Sequence, residues 1–202
     1  MREAIQSVRA GECIVYPTTT QPALGCMPTP ESLDRLYALK ERDQSMPVSI
    51  GVANLEQAEK LVKVPKLVRN LLDDFPQGSL TVVLKAHEKL DSRLGGDDVA
   101  IRVVAHPEAI RLLKKVGPLT ATSANSSGFV PVDDCEEAAR TLSSTGKEVG
   151  YVPGVCPGGS PSTLIAWYSV CGSTQLSDTE VLREGVVPVS YTHLTLPTNR
   201  EV

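Results

Sequence analysis

The sequence predicts a mixed α/β domain, and three observations support this class. Hydrophobic residues make up 41% of the 202 residues and charged residues 22%, which is the balance of an ordinary globular protein. Short runs rich in β-branched residues lie among segments with the apolar spacing of a helix. Strands and helices do not follow a strict one-to-one order, which favours a mixed sheet over a barrel or a doubly wound dinucleotide fold.

The length suits one domain of ordinary size or two small ones. No internal repeat or linker divides the chain, so we expect a single domain. Segment 152–162 is rich in Gly and Pro and predicts a long loop inside this domain. Such a loop either folds over a site or is simply mobile.

The strands are predicted from short apolar or β-branched runs that turn residues interrupt. The first of these runs ends at Tyr16, because Pro17 cannot continue the hydrogen bonding of a central strand. The predicted strands are 12–16, 48–52, 79–85, 99–104, 119–122, 163–167 and 181–183.

The helices are predicted from apolar spacing and from their first residues. In segment 30–40, Thr29 is a candidate N-cap, Pro30 suits the first turn, and leucines recur at helical spacing. Asn54 is the candidate N-cap of the next helix. The predicted helices are 30–40, 54–62, 65–72, 106–115 and 135–142.

Charge and cysteine content limit the class of protein. The formal net charge of −4 does not mark a nucleic-acid binder, so any anionic partner has to meet a local basic site. The five cysteines are scattered without a CxxC pair, which suits a reducing compartment and disfavours a zinc ribbon. No secretory signal pattern and no membrane-spanning apolar run is present, so we expect a cytoplasmic protein without a membrane partner.

Several common catalytic motifs are absent from the sequence. The three histidines are isolated, which disfavours a histidine metal site or a Ser-His-Asp triad. Neither a phosphate-binding P-loop, nor a GxGxxG pattern after a strand, nor a GxSxG elbow occurs. The chemistry has to come from loops at strand and helix ends.

Two of these loops follow the first strand and the first predicted helix. Thr18 and Thr20 either bind a ligand through their hydroxyls or satisfy the backbone of their own turn. Lys40 and Arg42 either oppose the helix dipole or clamp a phosphate.

Two further features lie around the predicted strands 99–104 and 119–122. Arg102 interrupts an apolar strand, and a buried charge there needs either a carboxylate partner or a ligand anion. Ser123 and Asn125 end the next strand, either to grip phosphate oxygens or a sugar or to form an ordinary turn.

The order of these features along the chain is more specific than any one of them. Pro-Thr-x-Thr, Lys-x-Arg, Pro-x-Gly-x-x-Thr at 76–81, an arginine in a strand, Ser-Ala-Asn-x-Ser-Gly, Ser-Thr and Arg-Glu-Gly follow one another over residues 1–187. This series resembles the YrdC/Sua5 family. The resemblance implies a twisted mixed sheet with flanking helices around an open concave cavity, in a short YrdC-type chain. Residues 188–202 are expected to be a non-native or disordered tail.

The resemblance also implies an activity. Members of the family make threonylcarbamoyl-AMP and diphosphate from ATP, L-threonine and bicarbonate, with Mg²⁺ carried by ATP. A tRNA threonylcarbamoyl-transferase partner then uses the product to modify tRNA, so tRNA is met indirectly or by weak binding. The alternative is a nucleotide- or RNA-binding protein of the same fold without synthase activity.

The resemblance assigns roles to individual residues and no protein ligand to a metal. Lys40 and Arg42 are expected to be catalytic. The ATP-binding residues are expected to be Lys40, Arg42, Thr81, Ser123, Asn125 and Arg183. The threonine-binding residues are expected to be Thr18, Thr20, Arg102, Ala121 and Ser162.

The sequence departs from the family pattern mainly in the threonine half. Thr19 replaces an acid, Pro22 an aromatic residue and Ala23 a glycine. Met46 replaces a cation, and a histidine expected near Gly51 is missing. The ALGC stretch at 23–26 occurs in the YciO-like branch, so whether these changes abolish synthesis is left open by the sequence.

Overall fold

The computed structural model describes residues 1–143, 148–167 and 179–188. Within these ranges the helices are α1 Arg2–Arg9, α2 Pro30–Lys40, α3 Leu55–Ala58, α4 Lys66–Asp74, α5 Pro107–Val116 and α6 Cys135–Leu142, with a 3₁₀ turn at Ser92–Leu94. The strands are β1 Ile14–Tyr16, β2 Ala23–Gly25, β3 Ile50–Val52, β4 Leu80–Lys85, β5 Asp98–Val103, β6 Leu119–Thr120, β7 Thr122–Ser123, β8 Gly150–Tyr151, β9 Thr163–Trp167 and β10 Thr179–Arg183.

The strands form two sheets, ordered β7-β2-β1-β8 and β10-β9-β4-β5-β3-β6. Both sheets mix parallel and antiparallel pairs: β1 is antiparallel to β2 and parallel to β8, while β4 is antiparallel to β5 and parallel to β9. The predicted mixed α/β class is therefore confirmed, with the strands divided between two sheets.

The predicted strand 119–122 divides between the two sheets. Leu119–Thr120 pairs with β3 in the six-stranded sheet, whereas Thr122–Ser123 pairs with β2 in the four-stranded sheet. Ala121 lies between them, and its N–H donates to the carbonyl of Ser49 at 2.8 Å. The chain therefore crosses from one sheet to the other at this residue.

The core has apolar side chains on both faces of strand β1. Ile14 and Tyr16 pack in a cluster with Val8 of α1 and Leu112 of α5. Val15, on the opposite face, belongs to the cluster that includes leucines of α2 and alanines of α6. Because successive side chains of a strand point to opposite faces, β1 is covered by helices on both sides.

Most of the predicted elements are present at nearly the predicted bounds. Asn54 caps α3 by accepting a hydrogen bond from the N–H of Gln57, but α3 ends at Ala58 rather than at 62. Helix α1 and strands β2 and β8 were not predicted, and the two strands are only three and two residues long. Strands this short show too few alternations to give a periodic signal.

Two of the remaining predictions concern the C-terminal tail and the membrane. The proposed tail lies outside the described residues except for Pro188, so it stays a prediction. No helix in the described ranges combines the length and the apolar character that a bilayer crossing requires.

Candidate functional site

A cavity of about 230 Å³ lies where the two sheets meet. Residues of β2 and β7 line it from the four-stranded sheet, and residues of β4, β5, β9 and β10 from the six-stranded sheet. Eight of the eleven predicted site residues line this cavity: Thr20, Arg42, Thr81, Arg102, Ala121, Ser123, Ser162 and Arg183. Three do not, namely Thr18, Lys40 and Asn125.

The cavity is cationic although the chain is anionic. Its described lining contains Arg42, Arg102 and Arg183 and no Asp or Glu, while the formal net charge of the chain is −4. Clefts lined by one sign of charge concentrate ligands of the opposite sign. The site therefore suits an anion with several negative charges.

Arg102 is the most deeply buried of these three cations. Its side chain extends from β5, its Nε–H donates to the carbonyl of Gly78 at 3.0 Å, and its Nη2–H donates to Oγ1 of Thr20 at 2.9 Å. The residue is 6% exposed, and no ion pair with a carboxylate is present among the described residues. Of the two partners that the sequence left open, the structure favours a ligand anion.

Burial also changes the acidity of this group. The pKa of Arg102 is lowered from its ordinary value, chiefly because burial disfavours the charged form. The positive charge of Arg183 adds to the effect. An anion placed between these two arginines would offset both the burial of the Arg102 charge and its repulsion by Arg183.

In the threonine-rich loop, one hydroxyl bonds to the backbone of the turn and another faces the cavity. Oγ1 of Thr18 accepts from the N–H of Thr20 at 3.1 Å and donates to the carbonyl of Gln21 at 2.7 Å. Thr18 therefore shapes the turn, whereas Thr20 lines the cavity and contacts Arg102.

The Gly/Pro-rich loop packs against this turn. The N–H of Gly158 donates to the carbonyl of Thr20 at 2.8 Å, and Nε2 of Gln21 donates to the carbonyl of Gly159 at 2.5 Å. Pro161 and Ser162, at the end of the loop, line the cavity. Of the two expectations for segment 152–162, the structure favours a loop that belongs to the site.

Two hydroxyls and an arginine form another wall. Oγ1 of Thr81 and Oγ of Ser162 are 2.7 Å apart, and Nη2 of Arg183 donates to the carbonyl of Ser162 at 2.8 Å. These contacts follow from the parallel pairing of β4 with β9 and the antiparallel pairing of β9 with β10. Partial burial lowers the pKa of Arg183, and the charge of nearby Arg42 lowers it further.

Arg42 lies at the rim of the cavity. Its Nε–H donates to the carbonyl of Met46 at 3.0 Å, and its Nη2–H donates to the carbonyl of Pro47 at 3.1 Å. The guanidinium is thus held by the loop before β3 rather than by the last carbonyls of α2. Arg42 is therefore not confined to the helix end, while its contact with a phosphate stays a prediction.

Lys40 and Asn125 do not line the cavity. Lys40 is only 1% exposed, and its Nζ donates to the carbonyls of Ser123 and Asn125. Nδ2 of Asn125 donates to the carbonyls of Ser126 and Phe129, while its Oδ1 is buried without a partner in the described residues. The structure does not bring either side chain into the cavity, so their expected contacts with ATP stay predictions.

Two of the departures from the family pattern, at Thr19 and Gly51, lie in tightly packed surroundings. Oγ1 of Thr19 is buried without a described partner, and a Cβ on Gly78 would lie 2.5 Å from it. A Cβ on Gly51 would lie 2.8 Å from the hydroxyl of Tyr16. Both glycines are therefore required by close packing next to the site.

The other departures lie at or near the wall of the cavity. Pro22 and Ala23 line it directly. Met46 is 53% exposed and offers its backbone carbonyl, not its side chain, to Arg42. Of the five departures, Pro22 and Ala23 are therefore the ones that change the described lining of the cavity.

Several lining residues were missed by the sequence analysis. Oγ of Ser49 donates to the carbonyl of Ala121 at 2.8 Å, which fixes the crossing between the sheets. Ser49 lies within the predicted strand 48–52, so its polar side chain in an apolar run was an available signal. The missed lining residues are Gln21, Pro22, Ala23, Pro47, Val48, Ser49, Ala100, Thr122, Pro161 and Leu164.

The described residues do not fit a metal held by the protein itself. Among them no group of three or more His, Cys, Asp or Glu side chains is placed to hold a metal ion. The described lining of the cavity also lacks a carboxylate, the ligand that Mg²⁺ prefers in proteins. A Mg²⁺ ion at this site would have to be coordinated mainly by a bound substrate.

Known proteins share this sequence and fold. A relative from Mycobacterium tuberculosis is 35% identical over 143 residues, which cover 69% of this chain and 66% of the relative. A threonylcarbamoyl-AMP synthase from Pseudoalteromonas translucida is 34% identical over 171 residues, which cover 80% of this chain and 89% of the relative. The chain thus spans slightly less than two thirds of the Mycobacterium relative and most of the Pseudoalteromonas one.

A solved structure and a family model agree with these relatives. The crystal structure of P. abyssi Sua5 complexed with L-threonine has a TM-score of 0.82 and 29% identity, covering 96% of this chain and 56% of the other. The family model Sua5/YciO/YrdC, described as telomere recombination, matches residues 6–185. The match extends over the whole described cavity, and the chain belongs to the Sua5/YciO/YrdC family.

Proposed function

We propose that the protein is an L-threonylcarbamoyladenylate synthase, which is a nucleotidyltransferase. The observation that supports this most is the cavity that combines three arginines and several hydroxyls with no carboxylate in its described lining. The name of the Pseudoalteromonas relative and the threonine complex of P. abyssi Sua5 point to the same reaction. The substrates are ATP, L-threonine and bicarbonate.

The amino-acid end of the cavity is formed around Arg102. Its guanidinium has five N–H groups, and contacts with described residues occupy two of them. The remaining N–H groups can hold the carboxylate of threonine, with Thr20 and Ser162 beside it. Such charge-assisted bonds fix the orientation of the amino group.

The nucleotide end is formed by Arg42, Arg183 and Ser123. The threonine amine condenses with bicarbonate: the N–C bond forms, a C–O bond of bicarbonate breaks and water leaves. An oxygen of the resulting carbamate then attacks the α-phosphorus of ATP. The bond to the β-phosphate oxygen breaks and diphosphate leaves. Because phosphoryl and nucleotidyl transfer depend mainly on positioning and charge neutralisation, two arginines and a set of neutral donors are sufficient.

Mg²⁺ enters as part of the substrate Mg·ATP, since the described lining has no carboxylate to bind it. The product would serve a tRNA threonylcarbamoyl-transferase, so the protein would meet tRNA indirectly or weakly. The reaction and the cysteine content suit the cytoplasm.

Turnover tests this proposal directly. The protein is incubated with Mg·ATP and bicarbonate, and diphosphate release is measured with and without L-threonine. Threonine-dependent release, reduced by Arg102→Met, is the expected result. Nucleotide binding without any threonine-dependent release would instead identify a binding protein of the same fold.

A further inference from the structure

We propose that Lys40 is a positioning residue, which holds the 123–127 loop in place at the nucleotide end of the cavity and does not contact ATP. The identity of the nucleotide rests on the proposed function. The placement of Lys40 rests only on its contacts within the protein.

The contacts of Lys40 join two segments that are far apart in sequence. Its Nζ donates to the carbonyls of Ser123 and Asn125, each at 2.5 Å. Its own carbonyl accepts from the N–H of Ser127 at 2.9 Å. The end of α2 and the 123–127 loop are therefore fastened together at three points.

The burial of Lys40 makes a phosphate contact costly. The residue is 1% exposed and does not line the cavity. To reach a phosphate, Nζ would have to leave two backbone carbonyls without their donor, and buried carbonyls without partners cost free energy. No ion pair between Lys40 and a carboxylate is present in the described part of the chain, so its partners are the loop carbonyls.

The surroundings of Lys40 suit an amine that donates to neutral backbone carbonyls rather than to a charged group. The pKa of Lys40 is lowered to about 8, because burial disfavours its charge and because Arg42 is nearby. A neutral amine still has two N–H groups, which matches the two carbonyls it serves.

The loop that Lys40 holds carries a lining residue. Ser123 lines the cavity, and Arg42, two residues after Lys40, lines it from the other segment. Lys40 thus sets the distance between two groups expected to hold the nucleotide. The side chain of Asn125 shapes the same loop through its bonds to Ser126 and Phe129.

Equilibrium binding of ATP and of adenosine tests this role. Lys40→Met keeps the length of the side chain and removes its donors, while Lys40→Gln keeps two N–H donors without charge. We expect Lys40→Met to weaken ATP and adenosine by a similar factor of about ten, and Lys40→Gln to restore part of the loss. Arg42→Ala is the matched control and should weaken ATP far more than adenosine.

Amide hydrogen exchange gives a readout that does not depend on nucleotide. Lys40→Met should speed exchange at Ala124 and Ser127, whose N–H groups bond to Pro22 and Lys40, and leave β1 unchanged. Should Lys40→Met fail to fold, Lys40→Gln is compared with the wild type instead, and we expect a smaller rise in exchange at the same two amides.

Two outcomes would overturn the inference. One is a loss of ATP affinity with adenosine affinity unchanged, since that is the behaviour of a phosphate ligand. The other is unchanged exchange in the 123–127 loop. If the wild-type protein binds neither nucleotide, the proposed function fails, and the exchange data still decide the role of Lys40.

Discussion

Replacing Arg102 with Met should impair the proposed amino-acid end of the cavity and leave the proposed nucleotide end largely unaffected. The substitution removes the guanidinium that contacts Thr20 and Gly78 and leaves an apolar side chain of similar volume. The described contacts occupy two of its five N–H groups. The substitution therefore also removes the three N–H groups that a threonine carboxylate would accept from.

The expected magnitude follows from the loss of a charge-assisted contact. Hydrogen bonds to a charged group contribute about 1.5–3 kcal/mol, which corresponds to roughly a ten- to hundredfold change in affinity. On the proposed function, the carboxylate would be held in both the ground state and the transition state. The KM for threonine should therefore rise by this factor while kcat changes much less.

The assay is diphosphate release at saturating ATP with varied threonine, followed by the reverse titration. Arg93→Met is the matched control, because Arg93 is also buried, at 8% exposure against 6% for Arg102, but does not line the cavity. Arg93 pairs with Asp91 and Asp34, so its loss should lower the melting temperature and leave the KM for threonine within about twofold.

Two results would refute this reasoning about Arg102. A KM for threonine that stays within twofold of the wild type would show that the guanidinium does not hold the amino acid. An equal rise in the KM for ATP and for threonine would show that Arg102 supports the whole cavity rather than one end of it.

The remaining predictions concern the other groups around the cavity. Arg42→Ala should raise the Kd for ATP about tenfold or more, measured by calorimetry, while an unchanged Kd would exclude the phosphate clamp. Gly78→Ala should raise the KM for threonine and lower the melting temperature. The φ of Gly78 is +79°, the new Cβ would meet Oγ1 of Thr19, and the carbonyl of Gly78 accepts from Arg102. Normal kinetics of this variant would contradict the prediction. Lys40 has a folded pKa of about 8 against an ordinary 10.5, so the unfolded state holds the proton more tightly between these values. The free energy of unfolding of the wild type relative to Lys40→Met should therefore rise between pH 8 and pH 10.5, by roughly 3 kcal/mol in urea titrations, and a flat difference would argue against the depressed pKa.

Much of the fold could be predicted because local sequence carries it. Helix α2 begins at Pro30 and ends at Lys40 as the cap and the leucine spacing predict. Strand β9 has its predicted bounds, since its run of apolar and β-branched residues directly follows the Gly- and Pro-rich loop. Strands β2 and β8 escaped prediction because they are stabilised by pairing with β1 rather than by their own pattern.

The candidate site was partly predictable for the same reason. Polar groups at strand ends, such as Thr20 and Ser123, stand out against the apolar strands beside them. Thr18 could not be separated from Thr20 by sequence, because both are buried hydroxyls in one turn and only the direction of each side chain distinguishes them.

By itself, the sequence determined the mixed α/β class, the positions of most helices and strands along the chain, and the set of residues that could form an anion site. Only the tertiary structure decided which of them meet. Lys40 and Ser123 are 83 residues apart, and Arg102 and Thr20 are 82 apart, yet each pair is joined by a hydrogen bond. Spacing along a chain reports which face a residue occupies, whereas contacts over such separations depend on how the two sheets pack, and that packing is a property of the whole core.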